Sequence, residues 1–175
     1  QIAALDVAGP VTLDRPAPPP PPAPSAPREV ATAESVTAFL QPEIDEGLVT
    51  VESSGNTLTV QISGVNMFAP ASDTLEPRFA EVVDRVAGAL NEEGGQIIVA
   101  GHSDNIPINT ARFPSNLALS LARAKFVMER ISQTLVDSSR ISAEGRADRE
   151  PVASNDTPEG RAKNRRIEVI LVKAG

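Results

Sequence analysis

The chain has no cysteine, no tryptophan and no tyrosine, and its 175 residues include one histidine and five phenylalanines. Without cysteine there are no disulfides, thiolate metal sites or cysteine nucleophiles, and the redox compartment stays open. So few rings leave little for base-stacking nucleic-acid platforms or aromatic sugar clefts. No run of about 18 apolar residues exists, so no segment reads as a bilayer span. A net charge of −7 disfavours general binding to nucleic acid or anionic membranes, which needs a broad basic field. The length suits one domain of ordinary size with appendages. Gln1 in place of Met is expected of a processed chain or of a piece of a longer one.

What is present is unevenly spread. Nine of the 16 prolines lie between Pro10 and Pro27, and Ala-Pro-Pro-Pro-Pro-Pro-Ala-Pro at 17–24 favours extended polyproline II over helix or central strand. Residues 1–33 therefore read as a spacer, favoured over a mucin-like stalk or an SH3 ligand. Fully extended at roughly 3.1 Å per residue, the tract from Pro10 to Glu34 spans about 75 Å. Charge is segregated as well. Residues 1–34 hold two basic and four acidic side chains, 35–100 two and ten, and 101–175 twelve and nine. The C-terminal part is thus the one suited to a small anionic ligand.

Val36, Phe39, Leu40 and Ile44 sit at helical spacing, which predicts a short helix over 34–46 despite Pro42. Leu48–Val51 and Leu58–Ile62 alternate around Ser53-Ser54-Gly55-Asn56 and read as a β-hairpin. Leu75, Phe79, Val82, Val83, Val86 and Leu90 recur every three or four residues, predicting a helix over 75–92 that Gly94-Gly95 stops. Gln96–Gly101 reads as a buried strand, Asn116–Leu135 as a second main helix, and 140–144 and 166–172 as two more strands. The order β-β-α-β-α-β-β implies an α+β fold, two main helices on one mixed sheet, preceded by a Pro-rich linker expected to be disordered. Phe79, Val83, Val86, Val127 and Ile131 are its expected core. The chain divides into a linker (1–33), a short helix and first strand (34–56) and a main domain (57–175).

Asn116, Ser120 and Arg123 lie four and three residues apart and form one polar stripe on the second helix. The neighbouring stripe of Ala124, Val127, Ile131 and Leu135 sets Arg123 at the edge of the core. There an arginine snorkels, pairs with an internal carboxylate or awaits an external one, and position alone favours the internal pair. Asp104, just past a buried strand, is the candidate partner. Facing one cleft, Asp104 and Arg123 would match a zwitterionic amino acid, the carboxylate taking its ammonium and the guanidinium its carboxylate; the alternative is a direct salt bridge between them. His102-Ser103-Asp104 holds the letters of a hydrolytic triad, but consecutive residues point in alternating directions and cannot relay a proton. His102 has no second histidine at metal spacing, so a packed histidine is favoured over a ligand. Four basic residues in 161–166 precede the last strand, where alternation sends Arg165 and Arg166 to opposite faces, one joining an anion site and the other solvated.

Four ordered motifs carry a resemblance. Gly101-His102-Ser103-Asp104-Asn105, Asn116-Leu117-x-Leu119-Ser120-x-x-Arg123-Ala124-x-x-Val127, Gly145-Arg146 with Pro151, and Thr157-x-Glu159-Gly160-Arg161-Ala162-x-Asn164-Arg165-Arg166-Ile167-Glu168 resemble the OmpA-like peptidoglycan-binding domain over roughly 57–173. The resemblance implies an OmpA-C-like fold and non-catalytic binding of the diaminopimelate of the peptidoglycan stem peptide. It implies that Asp104 and Arg123 grip the ligand, with Asn116 and Arg165 beside them and Ser103, Asn105, Ser120 and Arg161 in support. Ala71 stands where this family commonly has glycine, a departure expected to touch loop geometry and not the site. The Phe113-Pro114-Ser115-Asn116 loop and Phe39-Leu40-x-Pro42-Glu43-Ile44 look most like the periplasmic extension of the type VI secretion TssL proteins, ahead of flagellar stator B subunits. That implies a periplasmic wall anchor of an inner-membrane complex in a Gram-negative bacterium. Its implied partners are peptidoglycan and other envelope subunits of the secretion complex, with a homodimer left open. No enzyme activity, cofactor, metal or nucleic-acid partner is implied; the rival classes are a cell-wall hydrolase and an interaction domain with a vestigial pocket.

Overall fold

A computed structural model describes residues 28–63, 67–69 and 71–173. The expected linker lies outside the described residues as far as position 27. Its last six residues are helical. Helix α1 (Arg28–Phe39) begins six residues before the expected Glu34, because Arg28–Glu34 contains no proline and several good helix formers. Pro42 does not interrupt this helix but starts another, α2 (Gln41–Asp45), in whose first turn its missing N–H costs nothing. Val36 and Leu40 of this segment are buried against the main core.

Strands β1 (Val49–Ser54) and β2 (Thr57–Ser63) form the expected hairpin, turning at Gly55 with φ +59°. Three further strands, β3 (Gln96–His102), β4 (Ile141–Ala147) and β5 (Arg166–Val172), complete one mixed sheet in the order β1-β2-β5-β3-β4, in which only β3 and β4 run parallel. The α+β architecture expected from the sequence is therefore the one found. Helix α3 (Pro77–Asn91) and helix α4 (Asn116–Thr134) follow their hydrophobic periodicity closely. Phe79, Val83, Val86, Val127 and Ile131 are all buried, each at 4% exposure or less. Each such side chain stabilises the fold by roughly 1.5–3 kcal/mol relative to exposure.

The packing of α4 on the sheet positions the site. A Cβ on Gly101 of β3 would run into the backbone carbonyl of Ser120, so the absent side chain lets α4 lie directly on the strand. A short helix, α5 (Pro158–Asn164), was not expected from the sequence: seven residues with a central Gly160 are too few for a periodic signal. Thr157 caps it, its Oγ1 accepting from Gly160 N at 3.0 Å, and it delivers the chain to Arg165 and β5.

Candidate ligand-binding site

Where β3 leaves the sheet, the start of α4 and the junction of α5 with β5 converge on a cavity of about 280 Å³. Asp104, Arg123, Asn116, Arg165 and Ser103 line it, so five of the eight expected site residues meet in one place. Asp104 and Arg123 are each only 8% exposed. Charges at that burial require partners.

Asp104 is held by its backbone and by one cation. Its Oδ1 accepts from Ile106 N at 3.0 Å, and its Oδ2 accepts from Arg165 Nη1 at 2.6 Å. The direct Asp104–Arg123 salt bridge allowed by the sequence is not formed. Arg123 instead donates from Nε to the Ser72 carbonyl at 2.8 Å and from Nη2 to the Ala69 carbonyl at 3.3 Å, with its guanidinium 4.8 Å from the centre of the Phe68 ring. Its Nη1 has no hydrogen-bond acceptor among the described residues, and no carboxylate lies in salt-bridge contact with it. Burial, then repulsion from Arg165, push its pKa down to about 10, against the opposing pull of Asp104 and Asp73. The cavity thus contains a buried, charged guanidinium to which no carboxylate is bonded.

Asn116 acts on the loop. Capped by Ser115, whose Oγ accepts from Ala118 N at 3.1 Å, helix α4 opens with Asn116, which donates to the carbonyls of Ile106 at 2.8 Å and Asp104 at 3.4 Å. Ser103 Oγ donates to the Asp104 carbonyl at 2.9 Å, fixing the same turn. Ala71 also lines the cavity and has φ +50°, and its neighbours Ala69 and Ser72 supply the acceptors for Arg123. The alanine there touches the site, contrary to expectation, because the strained loop is what holds the guanidinium.

Three expected supporting residues do not reach the cavity. Asn105 is exposed and outside its lining. Ser120 turns to β4, its Oγ donating to the Leu117 carbonyl and accepting from Ala147 N at 3.2 Å, because Gly101 brings α4 too close to the sheet for that face to be open. Arg161 donates to the Asn155 carbonyl at 2.9 Å and fastens the loop before α5. With the fully buried Asn164, which bonds Val152, Ala153 and Asn155, it positions Arg165 from a distance.

Arg166 is the largest departure. Alternation on β5 implied that one of Arg165 and Arg166 would be solvated, yet both line the cavity and Arg166 is 3% exposed. It donates to Glu168 Oε1 at 2.9 Å and to the carbonyls of Asn164 and Glu150. Glu168 also accepts from His102 Nε2 at 3.1 Å, and this bond, with the Arg166 guanidinium beside it, lowers its pKa to about 2 against desolvation. Ligand atoms of His102, Glu150 and Glu168 come within 4.8 Å of one another, but Arg166 bonds the Glu168 carboxylate and Arg146 the exposed Glu150 carboxylate, so both acids are already paired with arginines. His102 is the packed histidine expected, with Nδ1 buried and unpartnered. Ser103 and His102 bond different groups, so no hydrolytic relay exists among them. The cavity can hold a small ligand through opposed charges; among the described residues it does not set a nucleophile beside a base.

Comparison with known proteins gives a consistent result. Residues 67–165 match the model of the OmpA family. The cell wall anchor of the type VI secretion system from Pseudomonas aeruginosa superposes with a TM-score of 0.74 at 43% identity, covering 79% of this chain and 97% of that one. Motility protein B of Bacillus subtilis is 46% identical over 80 residues, which is 45% of this chain and 31% of that protein. Peptidoglycan-binding protein ArfA of Mycobacterium tuberculosis is 34% identical over 122 residues, 69% of this chain and 35% of that protein. The chain thus spans about a third of the length of these two curated relatives.

Proposed function

The chain belongs to the OmpA family, and from that premise we propose that it binds peptidoglycan without covalent chemistry, holding the diaminopimelate of the stem peptide in the cavity between β3, α4 and β5. The observation that carries the reading is a buried carboxylate, Asp104, and a buried guanidinium, Arg123, lining one cavity without pairing to each other. A zwitterion complements them: its ammonium meets Asp104 Oδ2 and its carboxylate meets the open Nη1 edge of Arg123. Asn116 and Ser103 keep the Asp104 turn in place, and the apolar walls of Met67, Phe68 and Leu119 suit a methylene chain between the ligand's two ends.

The host that fits best is the wall anchor of a type VI secretion inner-membrane complex, which puts the domain in the periplasm of a Gram-negative bacterium beside other envelope subunits. Likeness to the Pseudomonas anchor over nearly its whole length supports this. A flagellar stator is the second reading, supported by the shorter but slightly more identical match to motility protein B. A hydrolase reading lacks support, since the cavity's serine and histidine serve the fold. Co-sedimentation with purified sacculi tests the proposal: wild type pellets, Asp104→Ala stays in the supernatant, and no fragments are released. Equal pelleting of the two proteins would refute it.

A further inference from the structure

The cation on Asp104 has a single tether. Arg165 sits at the C-cap of α5, its side chain is 44% exposed, and its only side-chain hydrogen bond among the described residues is the one to Asp104 Oδ2. That oxygen is where a ligand ammonium would have to go. Arg123, by contrast, is fastened to two backbone carbonyls and to the Phe68 ring, so it stays in place while Arg165 is free to leave.

Resting on the reading above, we infer that Arg165 is an internal stand-in for the ligand ammonium, displaced from Asp104 on binding and re-paired with a second carboxylate of the ligand. The charge count of the cavity dictates this. In the free protein Asp104 and Arg165 neutralise each other and Arg123 is left over. With an ammonium on Asp104 and a carboxylate on Arg123, Arg165 becomes the leftover cation, half-buried beside a second guanidinium that it repels. A simple amine therefore only exchanges one cation for another and strands Arg165. The full complement is a ligand with one ammonium and two carboxylates. Arg166 cannot take the second carboxylate, because Glu168 and two backbone carbonyls already hold it.

The test uses two small probes titrated calorimetrically into the full chain. Nα-acetyl-meso-diaminopimelate carries one ammonium and two carboxylates; its amide at the carboxylate beside the acetylated nitrogen carries one of each. Wild type is expected to prefer the dicarboxylate by about fivefold, the upper end for a half-exposed ion pair. Arg165→Gln should bind the amide more tightly than wild type does and bring the two probes within about twofold, while Arg165→Lys keeps the wild-type preference. Equal weakening of both probes by Arg165→Gln would mean a fixed ligand contact, and no change in either would mean a bystander surface charge; each overturns this inference alone. Failure of wild type to bind either probe would overturn it together with the diaminopimelate reading.

Discussion

Arg123 keeps its charge at a position where burial and Arg165 both oppose it; it bonds two backbone carbonyls and stacks on a ring, and Asp104 and Asp73 attract it without bonding it. A buried cation with no bonded carboxylate is poor for stability and good for capturing an anion. Lysine in its place keeps the charge but loses both the Nε bond to Ser72 and the planar fork. Arg123→Lys should weaken sacculus binding by at least about tenfold in sedimentation isotherms, one charge-assisted contact's worth. Unchanged binding would show that charge alone suffices. Glu168 makes a different prediction. Its folded pKa near 2 lies below the ordinary 4.5, so the fold favours the ionised form; this stability is complete above pH 4.5 and is lost as pH falls toward 2. Melting temperatures of wild type should therefore drop across that window more steeply than those of Glu168→Gln.

Helix α4 joins fold to site, since one face is core and its first and third turns carry Asn116 and Arg123. Its seat on β3 depends on Gly101. Gly101→Ala places a methyl group against the Ser120 carbonyl, which can only be relieved by lifting the helix. The expected cost is about 1–3 kcal/mol of stability, read by chemical denaturation, together with weaker wall binding. Helices α3 and α4 were legible in the sequence because 15 and 19 residues give several turns of apolar repeat. Helix α5 was not, and neither was the early start of α1, which rests on propensity and not on periodicity. The convergence of Asp104, Asn116 and Arg123 on one cavity was legible because they lie on a helix face or just after a strand. Ser120 was misplaced because helical phase does not reveal how closely a glycine lets the sheet approach. Arg166 was misplaced because its neighbour Arg165 caps α5 at ψ 86° and so does not follow strand alternation.

For the whole chain, the fold places the ligand cavity and the β1–β2 hairpin at different parts of the same sheet, and residues 34–56 contribute Val36, Leu40, Leu48 and Val49 to the common core. The core therefore draws on α1 from Val36 onward. We propose that the proline-rich residues before it act as a spacer, since nine of the chain's 16 prolines lie between Pro10 and Pro27. Removing residues 1–27 should leave the melting temperature and sacculus binding unchanged. A loss of binding on that deletion would make the N-terminal segment part of the site.

Whether Asp104 and Arg123 hold a ligand or the fold is decided by calorimetric titration of meso-diaminopimelate into Asp104→Ala and Arg123→Ala, with thermal melts on the same proteins. Each substitution leaves an opposite charge of the ligand unpaired, which costs roughly 2–5 kcal/mol of binding. For a ligand-holding pair the titration heat nearly vanishes while both variants melt close to wild type. Wild-type titrations beside lowered melting temperatures would contradict that role.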